Sequence, residues 1–307
     1  MLRLIKAKTL CVRQWRLLVA TVCLLLAAPP GSATEKLVVY TVNYPLQYFA
    51  QRIAGDHAKV IFPGPSDADP AFWQPDASTI GAYQRADLIL LNGAGYAKWV
   101  KRVSLPRGKL VDTSAGFRGD FIEAGGAVTH SHGREGSHSH AGTAFTTWLD
   151  FSQAVAQTMA VRDALSRLRP QHADTFAANA LALEQALLDL DSRLKAIAAT
   201  AQEKPLIASH PVYQYLARRY GLNLEAVMWE PETVPGENQW MQLERILRKH
   251  QAGWMLWEGE PATASDERLQ QLGVQSTVFD TCANQPEAGD FLGVMSSNVA
   301  NLERIFQ

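Results

Sequence analysis

The sequence predicts an α/β fold with two lobes, each a mostly parallel sheet flanked by helices, joined by one long connecting helix. Short β-branched or apolar runs recur along the chain, and each is followed by a helical pattern, which is typical of parallel sheets with helical crossovers. Some runs, such as residues 88–91, are apolar at every position and therefore indicate strands covered on both faces. A helical stretch between the two series of runs carries one continuous apolar stripe.

The first 33 residues have the pattern of a secretory signal peptide. An apolar run of about twelve residues, at 17–28, ends in Gly31-Ser32-Ala33, and it is shorter than the roughly 20 residues that span a bilayer. Basic residues precede this run: Arg3, Lys6, Lys8, Arg13 and Arg16. We therefore expect a mature chain that begins near Thr34 and is exported to the periplasm.

The net charge of the mature chain limits its possible partners, and its cysteine content limits its possible disulfide bonds. The whole chain has 29 basic and 30 acidic residues, and the predicted leader holds five of the basic ones, so the mature chain has a net charge of −6. This charge disfavours a nucleic-acid partner. Cys11 and Cys23 lie in the leader, which leaves Cys282 alone, so no intramolecular disulfide is expected.

The order of the patterns divides the mature chain into three parts. We expect a first lobe at 34–169, a connecting helix at 170–203 and a second lobe at 204–307, with Asp150 and Gln153 as a capping box before the connecting helix. The expected strands are 37–42, 59–62, 87–91, 109–111, 206–209, 224–229, 254–257 and 277–279. The helical stripe consists of Phe176, Ala180, Leu183, Leu187, Leu190, Leu194 and Ile197. A coiled-coil dimer is the alternative use of such a stripe, but two lobes can cover it, so we expect a monomer.

A segment at 129–140 is rich in histidine and carries the strongest chemical signal in the sequence. Its histidines are His130, His132, His138 and His140, half of the eight in the chain. Neutral imidazole is a good ligand for zinc and neighbouring transition metals, and small polar residues between the histidines leave them free to reach one cation. The alternative is a solvated surface loop.

Polar side chains follow several of the expected strands, where ligands bind in open α/β sheets. His210, Glu258 and Asp280 each follow a strand of the second lobe, so one imidazole and two carboxylates can converge as a first shell for zinc or manganese. In the first lobe, Asp67 and Asp69 follow a strand in a proline-rich stretch. Hydrogen-bonded structural roles, helix capping and turn formation are the alternatives for these residues.

The sequence favours a binding protein over an enzyme. It contains none of the local signatures of serine hydrolases, zinc metalloproteases or P-loop nucleotide-binding proteins. Trp73, Trp148, Trp229 and Trp257 lie near the expected crevice segments, where they either pack as core or form an aromatic cage for an organic cation.

These residues together resemble a known family, the extracytoplasmic solute-binding receptors of zinc and manganese ABC importers. The resemblance covers nearly the whole mature chain, and the histidine-rich segment resembles the loop of the zinc members. Its landmarks are Asp69-Pro70 with Gln74-Pro75, residues 86–95, Trp148-Leu149-Asp150, His210 with residues 215–222, and Asp280-Thr281. The resemblance implies two α/β lobes, a rigid connecting helix, a metal site in the cleft and delivery to a membrane permease.

The sequence departs from that family at two expected metal ligands. The family usually has a histidine directly after the Asp-Pro pair and another two residues before Trp-Leu-Asp, and this chain has Ala71 and Thr146 there. His210 and Asp280 match the second-lobe ligands, and histidine at the first of these positions favours zinc over manganese. Two protein ligands alone would hold zinc weakly.

Three sources are available for the missing donors. Glu258 can turn towards the ion, Asp67 or Asp69 can supply an oxygen from the first lobe, or the histidine-rich segment can fold over the cleft. We favour the histidine-rich segment, because it is the source of imidazole closest in sequence to Thr146.

We therefore expect a periplasmic receptor that captures zinc, ahead of manganese or another divalent transition metal, and delivers it to an ABC permease in the inner membrane. Binding should weaken in mild acid, because imidazoles must be neutral to coordinate a metal. One alternative is a receptor of the same fold that has lost the metal site and binds a metal chelate or a small organic cation. Another is a periplasmic metal chaperone.

Overall fold

The structure is a computed structural model that describes residues 35–66, 68–124, 129–132, 136–139, 142–200 and 203–307. Every element named below belongs to one compact unit, Leu37–Gln307. The predicted signal peptide lies outside the described residues. Among the described residues, no helix combines the length and the apolar character that crossing a bilayer requires.

The first lobe is built on a parallel sheet of four strands, as predicted. These are β1 (Leu37–Thr41), β2 (Ala58–Ile61), β3 (Leu88–Leu91) and β4 (Leu110–Asp112), in the order β2-β1-β3-β4. The described residues of this lobe form three α-helices: α1 (Tyr44–Ala54), α2 (Ala77–Arg85) and α3 (Phe151–Leu168). Leu88, Ile89 and Leu90 are all buried, which agrees with a strand covered on both faces.

Side-chain caps fix where the helices of this lobe begin. The Asn43 side chain accepts a hydrogen bond from the Leu46 N–H at 3.2 Å, and this cap starts α1 directly after β1. Asp150 caps α3 by accepting from the N–H groups of Ser152 and Gln153. The expected capping box is only half present, because Gln153 Oε1 is buried without a hydrogen-bond partner among the described residues.

The connecting helix α4 runs over Ala173–Ala199, after a 3-10 turn at Pro170–His172. Its 27 residues make it about 40 Å long at about 1.5 Å per residue. Every residue of the predicted apolar stripe is buried: Phe176, Ala180, Leu183, Leu187, Leu190, Leu194 and Ile197. The chain therefore covers this stripe itself, without the partner helix of a coiled coil.

The second lobe repeats the topology of the first. Its strands are β9 (Pro205–Ala208), β10 (Asn223–Ala226), β11 (Trp254–Trp257) and β12 (Gln275–Val278), all parallel, in the order β10-β9-β11-β12. Its helices are α5 (Gln214–Tyr220), α6 (Glu237–His250), α7 (Thr263–Gln271) and α8 (Phe291–Phe306). In both sheets the strand order reverses beside the first strand, which creates a crevice at the carboxyl ends.

Short antiparallel pairs lie in the first lobe, between β4 and α3 in sequence. Strand β5 (Glu123–Ala124) pairs with β8 (Gly142–Thr143), and β6 (Thr129–His132) pairs with β7 (Gly136–Ser139). The histidine-rich segment therefore contains a β-hairpin, in which His130 is the register partner of His138.

One hydrophobic core extends through both lobes, and a second, smaller cluster that includes Ile207 and Met255 lies within the second lobe. A single cluster of buried residues includes Val39 and Leu90 of the first sheet, Leu206 and Leu256 of the second, and the α4 stripe. Direct hydrogen bonds also cross between the lobes: Trp148 Nε1 to the Thr281 carbonyl at 2.7 Å, the Tyr44 N–H to the Ala283 carbonyl at 3.0 Å and the Tyr215 hydroxyl to the Ala144 carbonyl at 2.9 Å. Packing and hydrogen bonds therefore both hold the two lobes together.

Candidate metal centre

Polar side chains gather at the carboxyl ends of the second sheet, as the sequence predicts. His210 lies just beyond β9, Glu258 directly follows β11, and Asp280 lies just beyond β12. Glu230, which follows β10, joins them and was missed by the sequence analysis. The rule that found the other three residues would have found it, because it also follows a strand of the same sheet.

The imidazole of His210 is the centre of this group. His210 is 5% exposed, and its Nδ1 lies 3.0 Å from Glu258 Oε1 and 3.5 Å from Glu230 Oε1. When Nδ1 carries the ring proton and donates a hydrogen bond to Glu258, the neutral ring has its free lone pair on Nε2. That nitrogen can then bind a metal. This contact gives Glu258 the geometry of a residue that orients the histidine ring.

The surroundings of His210 are strongly negative. Burial lowers the pKa of its imidazole, but the hydrogen bond to Glu258 and the charges of Glu258, Glu230 and Asp69 outweigh burial and raise the pKa. A divalent cation at this position would offset the same negative charges.

Asp280 places another half-buried carboxylate at this edge of the sheet. Burial raises the pKa of its carboxyl and so does the charge of Glu258, whereas a hydrogen bond from the Cys282 N–H lowers it. That N–H lies 2.6 Å from Asp280 Oδ1. Asn298 holds the backbone of Asp280 on both sides, donating to its carbonyl at 2.7 Å and accepting from its N–H at 3.1 Å. The carboxylate is therefore anchored at a fixed place beyond β12.

Asp69 is the described carboxylate that the first lobe contributes to this region. Its Oδ1 accepts from the Ala71 N–H at 2.8 Å, and its carbonyl accepts from the N–H groups of Phe72 and Trp73. Turn formation, the alternative considered for this residue, is therefore present. Its charge nevertheless acts on His210 across the cleft. Asp67 lies outside the described residues.

The two positions that lack the expected histidines have other roles. Ala71 is buried, and the buried Thr146 donates its hydroxyl proton to the Val212 carbonyl in the other lobe. Val212 lies two residues after His210, so this hydrogen bond ties the first lobe to the loop that carries the imidazole. Neither side chain supplies a nitrogen donor.

The histidine-rich segment is described only in part. His130, His132 and His138 lie in the backbone of β6 and β7, while their side chains and the whole of His140 lie outside what the structure describes. Within the described ranges, no group of three or more His, Cys, Asp and Glu side chains is arranged to hold a metal ion. We name as the cleft cluster His210, Glu230, Glu258, Asp280 and Asp69. To enclose a metal ion, the cleft cluster therefore needs a change of side-chain conformation or a further donor.

Three of the four tryptophans near the expected crevice are buried in the core. Trp148, Trp229 and Trp257 are buried, and Trp229 packs against Trp257 with ring centroids 6.1 Å apart. Trp148 Nε1 is bonded to the Thr281 carbonyl, and Trp257 Nε1 to Ser276 Oγ. These three rings act as core and give no support to an aromatic cage for an organic cation, whereas Trp73 is half-buried.

The curated relatives of this chain are proteins named for zinc binding or zinc uptake. Zinc-binding lipoprotein AdcA of Streptococcus pneumoniae (strain ATCC BAA-255 / R6) is 26% identical over 304 residues, which cover 94% of this chain and 60% of AdcA. The chain thus spans less than two thirds of the length of AdcA. High-affinity zinc uptake system protein ZnuA of Bacillus subtilis (strain 168) is 25% identical over 320 residues, which cover 95% of this chain and 97% of ZnuA.

Solved structures share the fold. Metal-dependent lipoprotein YcdH from Bacillus subtilis matches with a TM-score of 0.75 and 22% identity, over 88% of this chain and 98% of that one. Zn(II)-bound AdcA from Streptococcus pneumoniae also has a TM-score of 0.75 and 22% identity, over 89% of this chain and 58% of that one.

A family model matches nearly all of the chain that follows the predicted leader. It covers residues 39–305, both lobes and the connecting helix included. The chain belongs to the family described as zinc-uptake complex component A, periplasmic.

Proposed function

We propose that this protein is an extracytoplasmic receptor that captures zinc and delivers it to an ABC permease in the inner membrane. Its curated relatives are named for zinc binding and zinc uptake, and its family is described as periplasmic. The observation that carries the proposal is the buried His210 imidazole, which lies 3.0 Å from Glu258 in a crevice lined by further carboxylates. The predicted signal peptide agrees with a site of action outside the cytoplasm.

The proposed ligands come from both lobes. His210 Nε2 and a carboxylate oxygen of Asp280 bind from the second lobe, and Asp69 supplies an oxygen from the first. Glu258 holds His210 Nδ1, in the manner of the carboxylate partners that orient metal-bound histidines. His130, His132, His138 and His140 are the source of a further imidazole, since zinc sites usually have four ligands.

The donor types favour zinc ahead of manganese. Imidazole suits zinc, copper, iron and nickel, whereas sites made of oxygen alone suit magnesium, calcium and manganese. The cleft cluster combines one imidazole with carboxylates, and the histidine-rich segment adds more nitrogen. Manganese or another divalent transition metal is the second choice.

Competition titration against a coloured zinc chelator tests the proposal. The chain lacking residues 1–33 should bind zinc, and His210→Ala should weaken binding by about 100-fold or more, beyond the effect typical of an outer-shell partner. His250→Ala is the matched control, because its ring lies in the same lobe with Nε2 2.9 Å from the Leu206 carbonyl, away from the cleft cluster. Equal zinc affinities in both variants and the wild type would contradict the proposal.

Elemental analysis of the purified protein distinguishes zinc from an organic cation as the bound molecule. A zinc receptor should retain zinc in a fixed ratio to protein without added metal. Protein that contains no transition metal and shows no heat on titration with zinc would instead favour a receptor for an organic cation.

A further inference from the structure

The segment directly after Asp280 crosses from the second lobe to the first. We name residues 281–284 the interlobe strap, because they make hydrogen bonds to three separate segments of the first lobe. Strap carbonyls accept from Trp148 Nε1 at 2.7 Å and from the Tyr44 N–H at 3.0 Å. The third segment is the loop that leads into Ala68, and the strap reaches it through a side chain.

That side chain is the amide of Asn284. Its Nδ2 donates to the Pro65 carbonyl at 2.8 Å and to the Ala68 carbonyl at 3.1 Å, while its Oδ1 accepts from the Gln285 N–H at 2.9 Å. Only the nitrogen of an amide can donate to a carbonyl, so these bonds fix the orientation of the group. Both ends of the Asn284 amide are therefore engaged, and the nitrogen end holds one loop of the other lobe.

The loop that Asn284 holds leads directly to Asp69, the proposed first-lobe ligand. Ala68 precedes Asp69 in the chain, so a single peptide unit joins the bonded carbonyl to this residue. The Asp69 carboxylate then closes the next turn by accepting from the Ala71 N–H at 2.8 Å. Because the described residues around Asp69 form neither helix nor strand, an anchor at Ala68 limits where the carboxylate lies.

The other end of the interlobe strap is fixed at Asp280. The Cys282 N–H donates to Asp280 Oδ1 at 2.6 Å, so the carboxylate and the start of the strap form one hydrogen-bonded unit. Three residues separate Asp280 from Asn284, so their Cα atoms lie at most about 15 Å apart. The strap therefore connects a carboxylate of the second lobe to the loop before Asp69 over a short path with hydrogen bonds at both ends.

We propose that Asn284 is a positioning residue for metal capture, which holds the loop before Asp69 so that this carboxylate faces the donors of the second lobe. The inference rests on the proposed function, in which Asp69 binds zinc from the first lobe. A donor that is held in place before the ion arrives loses less conformational entropy on binding than a mobile one. Such positioning matters in this chain because Ala71 and Thr146 supply no imidazole from the first lobe.

A double-mutant cycle tests this role by competition titration with zinc chelators of graded affinity. Asn284→Ala should weaken zinc binding about tenfold in the otherwise wild-type chain, as is typical for loss of a residue that orients a ligand. Asp69→Asn removes the carboxylate but keeps an oxygen that can accept from the Ala71 N–H. In this background, Asn284→Ala should change zinc affinity by less than about twofold. A residue that only stabilises the lobes would weaken binding equally in both backgrounds.

Asn179→Ala is the matched control. Its side-chain amide also donates to a backbone carbonyl of another element, that of Ile53 at 3.0 Å, near the C-terminal end of α1. This variant should lower the melting temperature of the metal-free protein and leave zinc affinity within about twofold. Asn284→Leu, which keeps the side-chain volume and removes both donors, replaces Asn284→Ala in the cycle if the alanine variant does not fold.

Three results would overturn the inference. They are unchanged zinc affinity in Asn284→Ala, equal losses in the two backgrounds, and wild-type affinity in Asp69→Asn itself. Each of them contradicts positioning through Asp69, while zinc binding by the wild type leaves the proposed function in place. Wild-type protein that fails to bind zinc is a separate result, which contradicts the proposed function and this inference together.

Discussion

Glu258 Oε1 lies 3.0 Å from His210 Nδ1, and the two residues follow neighbouring strands of the second sheet. In the proposed site, this contact orients the ring and leaves the other ring nitrogen of His210, Nε2, to bind the metal. Glu258→Ala should therefore weaken zinc binding about 10- to 100-fold, as is typical for loss of such a partner. Glu258→Gln should lose less, because its amide oxygen still accepts from Nδ1.

Competition titration of the two variants measures this difference. Glu225→Gln is the control, since Glu225 is largely exposed and lies 3.9 Å from the ring of His250. Wild-type affinity in Glu258→Ala would show that Glu258 neither orients His210 nor binds the ion.

We predict that Thr146 stabilises the fold and does not bind the metal. Thr146→Val removes the hydrogen bond to the Val212 carbonyl, so the free energy of unfolding should fall by about 0.5–1.5 kcal/mol, or more if that carbonyl stays unsatisfied. Zinc affinity should change by less than about threefold, since one hydrogen bond between the lobes is lost and no donor is removed. Denaturant unfolding and zinc titration measure the two effects, and a large loss of zinc affinity would place the hydroxyl at the ion.

The histidine-rich segment is predicted to add imidazole to the site. A variant lacking residues 129–140 should bind zinc more weakly, because the cleft cluster contains one imidazole. Replacing the four histidines by glutamine in the full-length segment should reproduce the loss, which separates loss of the side chains from loss of the loop. Unchanged zinc affinity in both variants would rule out this role.

Asp191 joins the connecting helix to the second lobe through a buried ion pair. It accepts hydrogen bonds from Arg219 at 2.9 Å and 3.0 Å and from the Tyr220 hydroxyl at 3.0 Å. Burial raises the pKa of Asp191, but the hydrogen bonds from Arg219, Lys195 and Tyr220 outweigh it, so the pKa is lowered. A lowered pKa contributes stability above the unfolded-state value, about 3.9, and this stability disappears as the pH falls through the folded-state value.

Asp191→Asn should therefore destabilise the protein by about 1–3 kcal/mol at neutral pH. The difference from wild type should shrink as the pH falls below about 4, where Asp191 of the unfolded chain takes up a proton while the folded chain still holds the charge, and it should be lost below the lowered pKa of the folded state. Denaturant unfolding at several pH values measures this difference in the free energy of unfolding. As the control, Asp189→Asn, an exposed substitution on the same helix, should change the free energy of unfolding by less than about 0.5 kcal/mol. A difference that stays constant down to pH 3 would contradict the role of the charge.

Much of the fold follows from the sequence because its signals are local. Continuous apolar runs such as Leu88–Leu91 locate strands to within a few residues, and the α4 stripe predicts the buried face of the connecting helix. Strand ends also locate His210, Glu258 and Asp280 at one edge of the sheet.

Contacts between side chains from distant segments do not follow from such signals. The pairing of Glu258 with His210, the hydrogen bond from Thr146 to Val212 and the hydrogen bond from Asn284 to Ala68 depend on tertiary packing. The capping box at Asp150 shows the same limit, because the Asp150 N–H donates to the Thr147 carbonyl and the Gln153 side chain does not accept from it.

Anomalous diffraction from zinc-soaked crystals tests the central claim most directly. The account predicts a zinc peak in the cleft, about 2.0–2.1 Å from His210 Nε2 and about 2.0–2.2 Å from an oxygen of Asp280. Zinc bound elsewhere on the protein, with no peak within coordinating distance of His210, would contradict it.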